Sequence, residues 1–359
     1  MSDAAPTSTV VVVSVSDLGP AIEFLRTNAG FDLLSIHPAD SPRTARLARD
    51  GTMIELQLGR PTGTVIAIDG PDLVDGDTAG PDGLVLRRSS SPSLVVPPVV
   101  EETSIGPSDH DGDHHVGRAG MTYRDLIPSR WGGAVIASSI RIESAGSVPD
   151  YVHHHDVLFQ LIFCRRGWVE VVYEDQGEPF LLHAGDCVIQ PPHIRHRVLS
   201  NSDGMEVVEI GYPAEHLTLV EHDLRLPNGV DHDTRWSGQS FVHHHAGNRR
   251  WIPVGTGVER SDTGVRVATN GLADVSVVRL SASASLSIDP ESSPLHPRMW
   301  VLLDGSVDVE GSTSGRLLAG ATLSVASADS VTLTAVAEST LLSVTIDASK
   351  PADHWRPRA

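Results

Sequence analysis

The sequence predicts a mainly β chain, with two long strand-rich blocks standing behind a short α+β module. Three observations carry this reading. Around Tyr151 to Leu199, β-branched and apolar runs (LFQLIFC, WVEVVY, CVIQ) are separated by turn residues at Gly167, Asp175–Gly177 and Gly185-Asp186. From Val265 to Ile346 the chain again alternates strongly, as in VSVVRLSA, MWVLLDGSVDVEG and SVTLTAVA. Between Thr9 and Gly59 the order reads strand, helix and three strands.

The 359 residues suffice for two or three domains with sizeable cores. With 40% hydrophobic and 20% charged residues, the composition is that of a globular chain. A net charge of −19 argues against nucleic acid and anionic membrane surfaces as partners, because both require a basic footprint. Lys350 is the only lysine, so cationic contacts fall to arginine. Two cysteines, Cys164 and Cys187, cannot build a secreted disulfide scaffold. The opening MSDAAPTST has no charged and apolar leader pattern, and no apolar run reaches membrane-spanning length. A cytoplasmic location is expected.

Residues 8–88 form the first expected domain. Val10–Val15 is a β-branched run, Asp17 is placed to cap a following helix, and Gly30 closes it; DLLSIHP, RTARLARDG and TMIELQLG follow as strands. This βαβββ order resembles one module of the vicinal oxygen chelate, or glyoxalase-like, superfamily, and Gly80 to Arg88 resembles the last turn and strand of a second module. The resemblance implies a metal carboxylate at Glu55. The first strand has no histidine in its ligand slot, however, and Arg87 stands where a second carboxylate is expected. The domain is therefore read as metal-free, serving as structure or as a binding lid. Residues 89–120, with SSSPS, VVPPVV and SDHDGDHH, have linker composition. Their cluster of His110, His114 and His115 with Asp109, Asp111 and Asp113 is read as a solvated loop.

The third expected domain, residues 121–220, carries the chemistry. His153 and His155 are two apart, so on a strand they share a face while His154 points away. Gln160 follows after four residues, Gly167 after six more, and Gly185, Pro191, His193 and His196 continue at spacings of five, one and two. These spacings resemble the two cupin motifs, with Gln160 in the usual glutamate slot, His193 in a glycine slot and Ser200 in an asparagine slot. The resemblance implies a double-sheet jelly-roll barrel with a metal held by His153, His155, Gln160 and His196. In GMEVVEIGYP, Met205, Val207 and Glu209 share one face and Glu206, Val208 and Ile210 the other. If the pairing is regular one glutamate points inward, and Glu206 and Glu209 are the candidate general bases; a bulge or strand end would instead let both reach water. Cys164 and Cys187 are read as buried, inert thiols. His154 and His183 fall outside the ligand register, and His193 is expected at the barrel mouth.

Residues 221–260 read as a connector, with the triplet His243–His245 at its surface or in an interface. Residues 261–348 resemble a second cupin barrel that has lost its metal. Gly305 occupies the late glycine slot, Arg298 the glutamate slot, Glu291 and Ser293 the paired histidine slots, and Val331 the last histidine slot, with His296 out of register. The full expectation is a mainly β fold: two cupin jelly-roll barrels preceded by a small α+β βαβββ glyoxalase-like domain.

Three imidazoles suit divalent transition metals, and no thiolate is present to mark a structural zinc site. One divalent metal is expected, iron first, with manganese, nickel, zinc or copper as alternatives. A neutral Gln160 in place of glutamate leaves the metal its full charge, which favours an anionic ligand. Resemblance to bicupins implies a mononuclear non-haem dioxygenase acting on a small anionic metabolite. The alternatives are a metal-dependent isomerase or lyase of a small carbonyl or carboxylate compound, and a non-catalytic small-molecule-binding cupin. An inward Glu206 or Glu209 favours the isomerase or lyase; an apolar pocket favours the oxygenase. Self-association as a homodimer is consistent with the resemblance.

Overall fold

A computed structural model describes residues 9–70, 73–90, 94–109, 114–290 and 298–350. The chain divides into two compact units, residues 1–93 and 94–359.

The first unit follows local sequence signals closely. β1 (Val10–Val15) leads into α1 (Leu18–Ala29), then β2 (Asp32–His37), β3 (Thr44–Arg49) and β4 (Thr52–Leu58) form a sheet in the order β1-β4-β3-β2. The Asp17 carboxylate accepts from the Gly19 amide at 2.9 Å, and Gly30 ends the helix at φ +67°, where a side chain would be strained. Leu18, Ala21, Leu25 and Ala29 form the buried helix face, packed with Val13, Val15, Leu47 and Leu56. β5 (Val65–Asp69), β6 (Gly76–Ala79) and β7 (Val85–Ser89) make a separate three-stranded sheet. Pro81–Gly83 turns into β7 as expected, whereas β5 escapes the sequence reading because its VIAID is short and half exposed. Glu55 is paired with Arg46 at 2.7 Å and Arg87 with Asp77 at 3.0 Å.

In the second unit the Pro-rich stretch is not a free tether. β8 (Ser104–Ile105) joins a sheet through the strand Thr322–Val325, and the Asp109 amide donates to the Ala319 carbonyl. His110, Asp111 and Asp113 lie outside the described residues. Next come β9 (His115–Val116), β10 (Thr122–Asp125), β11 (Ile136–Ile142), β12 (Gly146–Ser147), β13 (His153–His155), β14 (Phe159–Arg166) and β15 (Trp168–Tyr173). They are followed by β16 (Phe180–His183), β17 (Cys187–Ile189), β18 (His196–Asn201), β19 (Met205–Tyr212), β20 (Thr218–Val220) and β21 (Val242–His244). One sheet runs β21-β17-β14-β19-β11-β10-β9; the other runs β16-β15-β18-β13-β20, with β12 on β18.

The apolar strands of this block are buried on both faces, which is why they read as continuous rather than alternating runs. On β14, Phe159, Leu161 and Phe163 enter one cluster, while Cys164 and Ile162 enter another with Val169, Val171 and Tyr173 of the opposite sheet. The first cluster also takes Val275, Val277, Met299, Val301, Leu342 and Val344 from the C-terminal block. That block has its own core, including Val307, Val309, Leu317 and Leu333, between a seven-stranded and a four-stranded sheet. Arg298 there is buried and donates to the carbonyls of Asp289, Ala326 and Asp329, and Val331 is buried in the core. Glu291, Ser293 and His296 lie outside the described residues.

Candidate metal centre

Strand pairing brings the histidines together. His153 on β13 is the register partner of His196 on β18, and His155 stands two residues on, on the same face. Their rings are 4.2 Å (His153–His196), 5.1 Å (His153–His155) and 5.2 Å (His155–His196) apart, and one nitrogen of each falls within 4.8 Å of the others. All three are buried.

The outward nitrogen of each ring is already engaged. His153 Nδ1 is 2.8 Å from the Tyr151 carbonyl, His196 Nδ1 3.0 Å from the Ile194 carbonyl, and His155 Nδ1 3.0 Å from the Thr218 hydroxyl. A carbonyl can only accept, so His153 and His196 carry their proton on Nδ1 and keep the Nε2 lone pair for the interior. His153 Nε2 is buried with no hydrogen-bond partner. Burial first, then the positive neighbours, holds the His153 imidazole below its usual pKa and those of His155 and His196 well below it. Three converging imidazole nitrogens, that of His153 buried and without a partner, fit a divalent metal.

On the facing sheet Glu209 lines the cavity, while Gln160 stands behind it outside the lining. Gln160 Nε2 donates to Glu209 Oε1 at 2.6 Å, and Gln160 Oε1 is left buried without a partner. The inward face of β19 is the one that carries Met205, Val207 and Glu209, all of which line a cavity of about 290 Å³ beside the three histidines. Glu206, the other candidate base, turns the opposite way. It accepts from Ser139 at 2.9 Å and Arg165 at 2.8 Å and pairs with Arg141 at 3.2 Å, outside the cavity lining. The alternation of a regular strand separates the two.

Several cavity residues escape the sequence reading. Arg118, from the supposed linker, lines the cavity; its Nη1 binds the buried Asp150 at 2.5 Å and lies 3.2 Å from His153 Nδ1. His216 stands edge-on to His155 at 5.3 Å, fixed by the Pro213 carbonyl at 3.1 Å. The Tyr173 ring stacks on His196, and its hydroxyl accepts from Gln190 at 2.8 Å. Arg118 and His216 sit outside any motif spacing, and only the tertiary fold brings them to the cavity. The remaining wall is apolar, with Ile140, Ile162, Val171 and Val198.

His193 takes up φ +66°, so the turn that glycine would ease is kept by a strained side chain. Its ring lies 3.5 Å from Asp156 and 3.4 Å from His154 Nδ1. Burial pushes both thiols, Cys164 and Cys187, up to about 12, which leaves them inert. The connector triplet, read as surface or interface, lies at the sheet edge with His245 exposed and His243 and His244 partly buried. β21 adds to the edge of the seven-stranded sheet, and His243 and His245 gather with Asp186 into a second cluster whose ligand atoms lie within 4.8 Å.

Residues 140–210 match the family model described as Cupin domain, so this part of the chain is a cupin-fold domain. A search of curated proteins finds no match to the sequence. Among solved structures, a salicylate 1,2-dioxygenase from Pseudaminobacter salicylatoxidans is similar at 14% identity, over 71% of this chain and 87% of that one, with a TM-score of 0.52. Oxalate decarboxylase from Bacillus subtilis is similar at 12% identity, over 70% of this chain and 78% of that one, with a TM-score of 0.51. At these identities the likeness is one of fold. Among the described residues no helix is long and apolar enough to cross a membrane.

Proposed function

We propose that this chain is a metal-dependent bicupin that acts as a lyase or isomerase on a small carboxylate or carbonyl compound. In this reading residues 121–220 are the metal-binding barrel, 221–260 the connector and 261–348 a barrel without metal, behind a glyoxalase-like module at 8–88. The observation that carries the reaction class is Glu209, an acid/base group turned into the cavity that also holds the three histidine nitrogens. His153, His155 and His196 would hold the metal, with Gln160 Oε1 as a fourth donor. When bound, a divalent metal there supplies Lewis-acid polarisation of a substrate oxygen.

The chain's own groups divide the remaining work. Among the described residues Arg118 is the one arginine lining the cavity, and it offers its guanidinium to a substrate carboxylate. Glu209 takes the proton from the carbon beside the polarised carbonyl. It returns that proton to a neighbouring atom in an isomerisation, or the electron pair expels a group from the next carbon in an elimination. Gln160 holds the carboxylate in place, and the apolar wall excludes water. The small volume suits a small metabolite, and the solved structures of similar fold include a decarboxylase of a dicarboxylate.

The apolar wall also favours a second reading, a dioxygenase of a small anionic metabolite, the class to which the similar salicylate enzyme belongs. A single experiment separates them. Metal-reconstituted protein is offered a panel of small hydroxy-, keto- and dicarboxylates under argon and under air, with dissolved oxygen followed throughout. Product formed equally under both atmospheres supports the lyase or isomerase. Turnover only in air, with oxygen consumed in step with substrate, supports the dioxygenase. Ligand binding with no turnover under either supports a binding protein.

A further inference from the structure

We infer that Asp186, His243 and His245 form a second divalent-cation site, of the zinc type, that pins the connector to the edge of the cupin-fold block. The site is separate from the histidines of β13 and β18, and it does not depend on the function proposed for them.

Each ligand is placed by a different constraint. His243 lies on β21 and His245 one residue past its end with the backbone still extended, so the two share a face. Asp186 sits in the tight turn between β16 and β17, where Gly185 adopts φ +94°. Its carboxylate is fixed from both sides: Oδ1 accepts from the Ala246 amide at 2.7 Å and Oδ2 from the His183 amide at 3.1 Å. It therefore cannot swing away from the two imidazoles.

The distances suit a cation better than direct contact. His243 Nε2 and His245 Nδ1 each stand 3.8 Å from Asp186 Oδ2. That is too long for a hydrogen bond. Zinc bonds of 2.0–2.2 Å place tetrahedral donors about 3.3 Å apart, so a small contraction closes the set. The two rings are 3.8 Å apart at their centroids, closer than aromatic pairs usually stand. His243 Nε2 is buried and makes no hydrogen bond. A cation accounts for this orphaned atom and for the crowding together. Two imidazoles, one carboxylate and no thiolate match a borderline metal such as Zn²⁺, and the half-exposed His245 leaves the fourth position to water.

The connector makes the consequence structural. β21 is an edge strand held by three register pairs to β17. A metal across Asp186 would cross-link this edge to the preceding turn and so fix the chain that leads on to the C-terminal block.

Zn²⁺ binding is measured by equilibrium dialysis on the full chain carrying His153→Ala and His196→Ala, which disables the first centre. One equivalent is expected, and adding His245→Ala should weaken it by more than about 100-fold, since even groups that only support a ligand cost 10–100-fold. His245 is half exposed, so that substitution leaves the core intact. If the doubly altered chain fails to fold, the comparison is read on the otherwise unaltered protein, where His245→Ala should lower the zinc content from two to one. No zinc bound by a folded, doubly altered chain overturns the site while leaving the first centre untouched. Zinc retained in full after both His245→Ala and Asp186→Asn overturns it as well, because the ion is then held elsewhere.

Discussion

Gln160 on β14 donates its amide to Glu209 on the neighbouring β19 across 2.6 Å. An amide beside a carboxylate turns its NH2 toward it, so the Gln160 oxygen is directed away, buried and without a hydrogen-bond partner. The contact joins a neutral side chain from a metal motif to a carboxylate that lines the cavity.

Gln160→Glu would set two carboxylates within hydrogen-bond distance. Like charges so close cannot both ionise freely, and the pair holds a proton with a raised pKa. A raised folded-state value gives stability that is present below the unfolded carboxylate pKa of about 4.3 and lost as pH rises through the folded value. Denaturant melts of the metal-free variant should therefore fall further behind the wild type as pH is raised toward neutrality. Bound metal should reverse the deficit, because the added charge tightens the centre. A pH-independent difference would show that the two side chains do not meet in solution.

The first centre is tested at His196. His196→Ala should remove the metal held by the three histidines, and Glu55→Ala should leave metal content unchanged because Glu55 is engaged by Arg46. Metal analysis by mass spectrometry decides both. Loss of metal on changing Glu55 would move the centre into the first unit.

Glu209→Gln keeps the shape and the partner while removing the base. It should lower kcat by about 10²–10⁴-fold with metal content retained. Glu206→Gln should instead act on stability, since Glu206 serves an arginine cluster outside the cavity. Equal kinetic effects from the two would refute the assignment of faces on β19.

Arg118→Gln retains a donor for Asp150 and removes the charge. A charge-assisted hydrogen bond contributes about 1.5–3 kcal/mol, so KM for an anionic substrate should rise about 10–100-fold with kcat less affected. An uncharged analogue should bind wild type and variant alike.

Asp109 receives Arg165 at 2.7 Å, Arg166 at 2.7 Å, Arg141 at 3.1 Å and Arg124 at 3.3 Å. Burial pushes its pKa up, but the arginines outweigh that and hold it below the ordinary carboxylate range. A lowered folded value gives stability that is complete above the unfolded pKa of about 3.9 and lost as pH falls through the folded value. Asp109→Asn should cost about 1.5–3 kcal/mol at neutral pH, because the buried Arg124 loses its carboxylate and Arg165 and Arg141 are left with Glu206 alone. It should also flatten the acid limb of the stability curve below about pH 4.

Much of this protein is legible residue by residue. The N-cap at Asp17, the stop at Gly30, the same-face pair His153 and His155, and the split of Glu206 from Glu209 all follow from helix and strand periods, which are local properties of the backbone. Spacing also carries the second cupin motif to His196. Which of the two glutamates faces inward was not local: it depended on how β19 pairs with β14 and β11, and the register directs Glu209 to the cavity. Likewise Arg118 and Asp109 lie in a stretch whose composition reads as linker. Asp109 takes its role because the chain there is hydrogen-bonded to Thr322 and Ala319, far along the sequence, and Arg118 because its turn joins β9 to β10 at the end of the seven-stranded sheet. The triplet His243–His245 reads as surface or interface, and only the β17–β21 pairing sets His243 and His245 beside Asp186. Periodicity determines which side chains share a face. Only long-range strand pairing decides what that face meets, because the partner strand lies tens of residues away and leaves no mark in the local pattern.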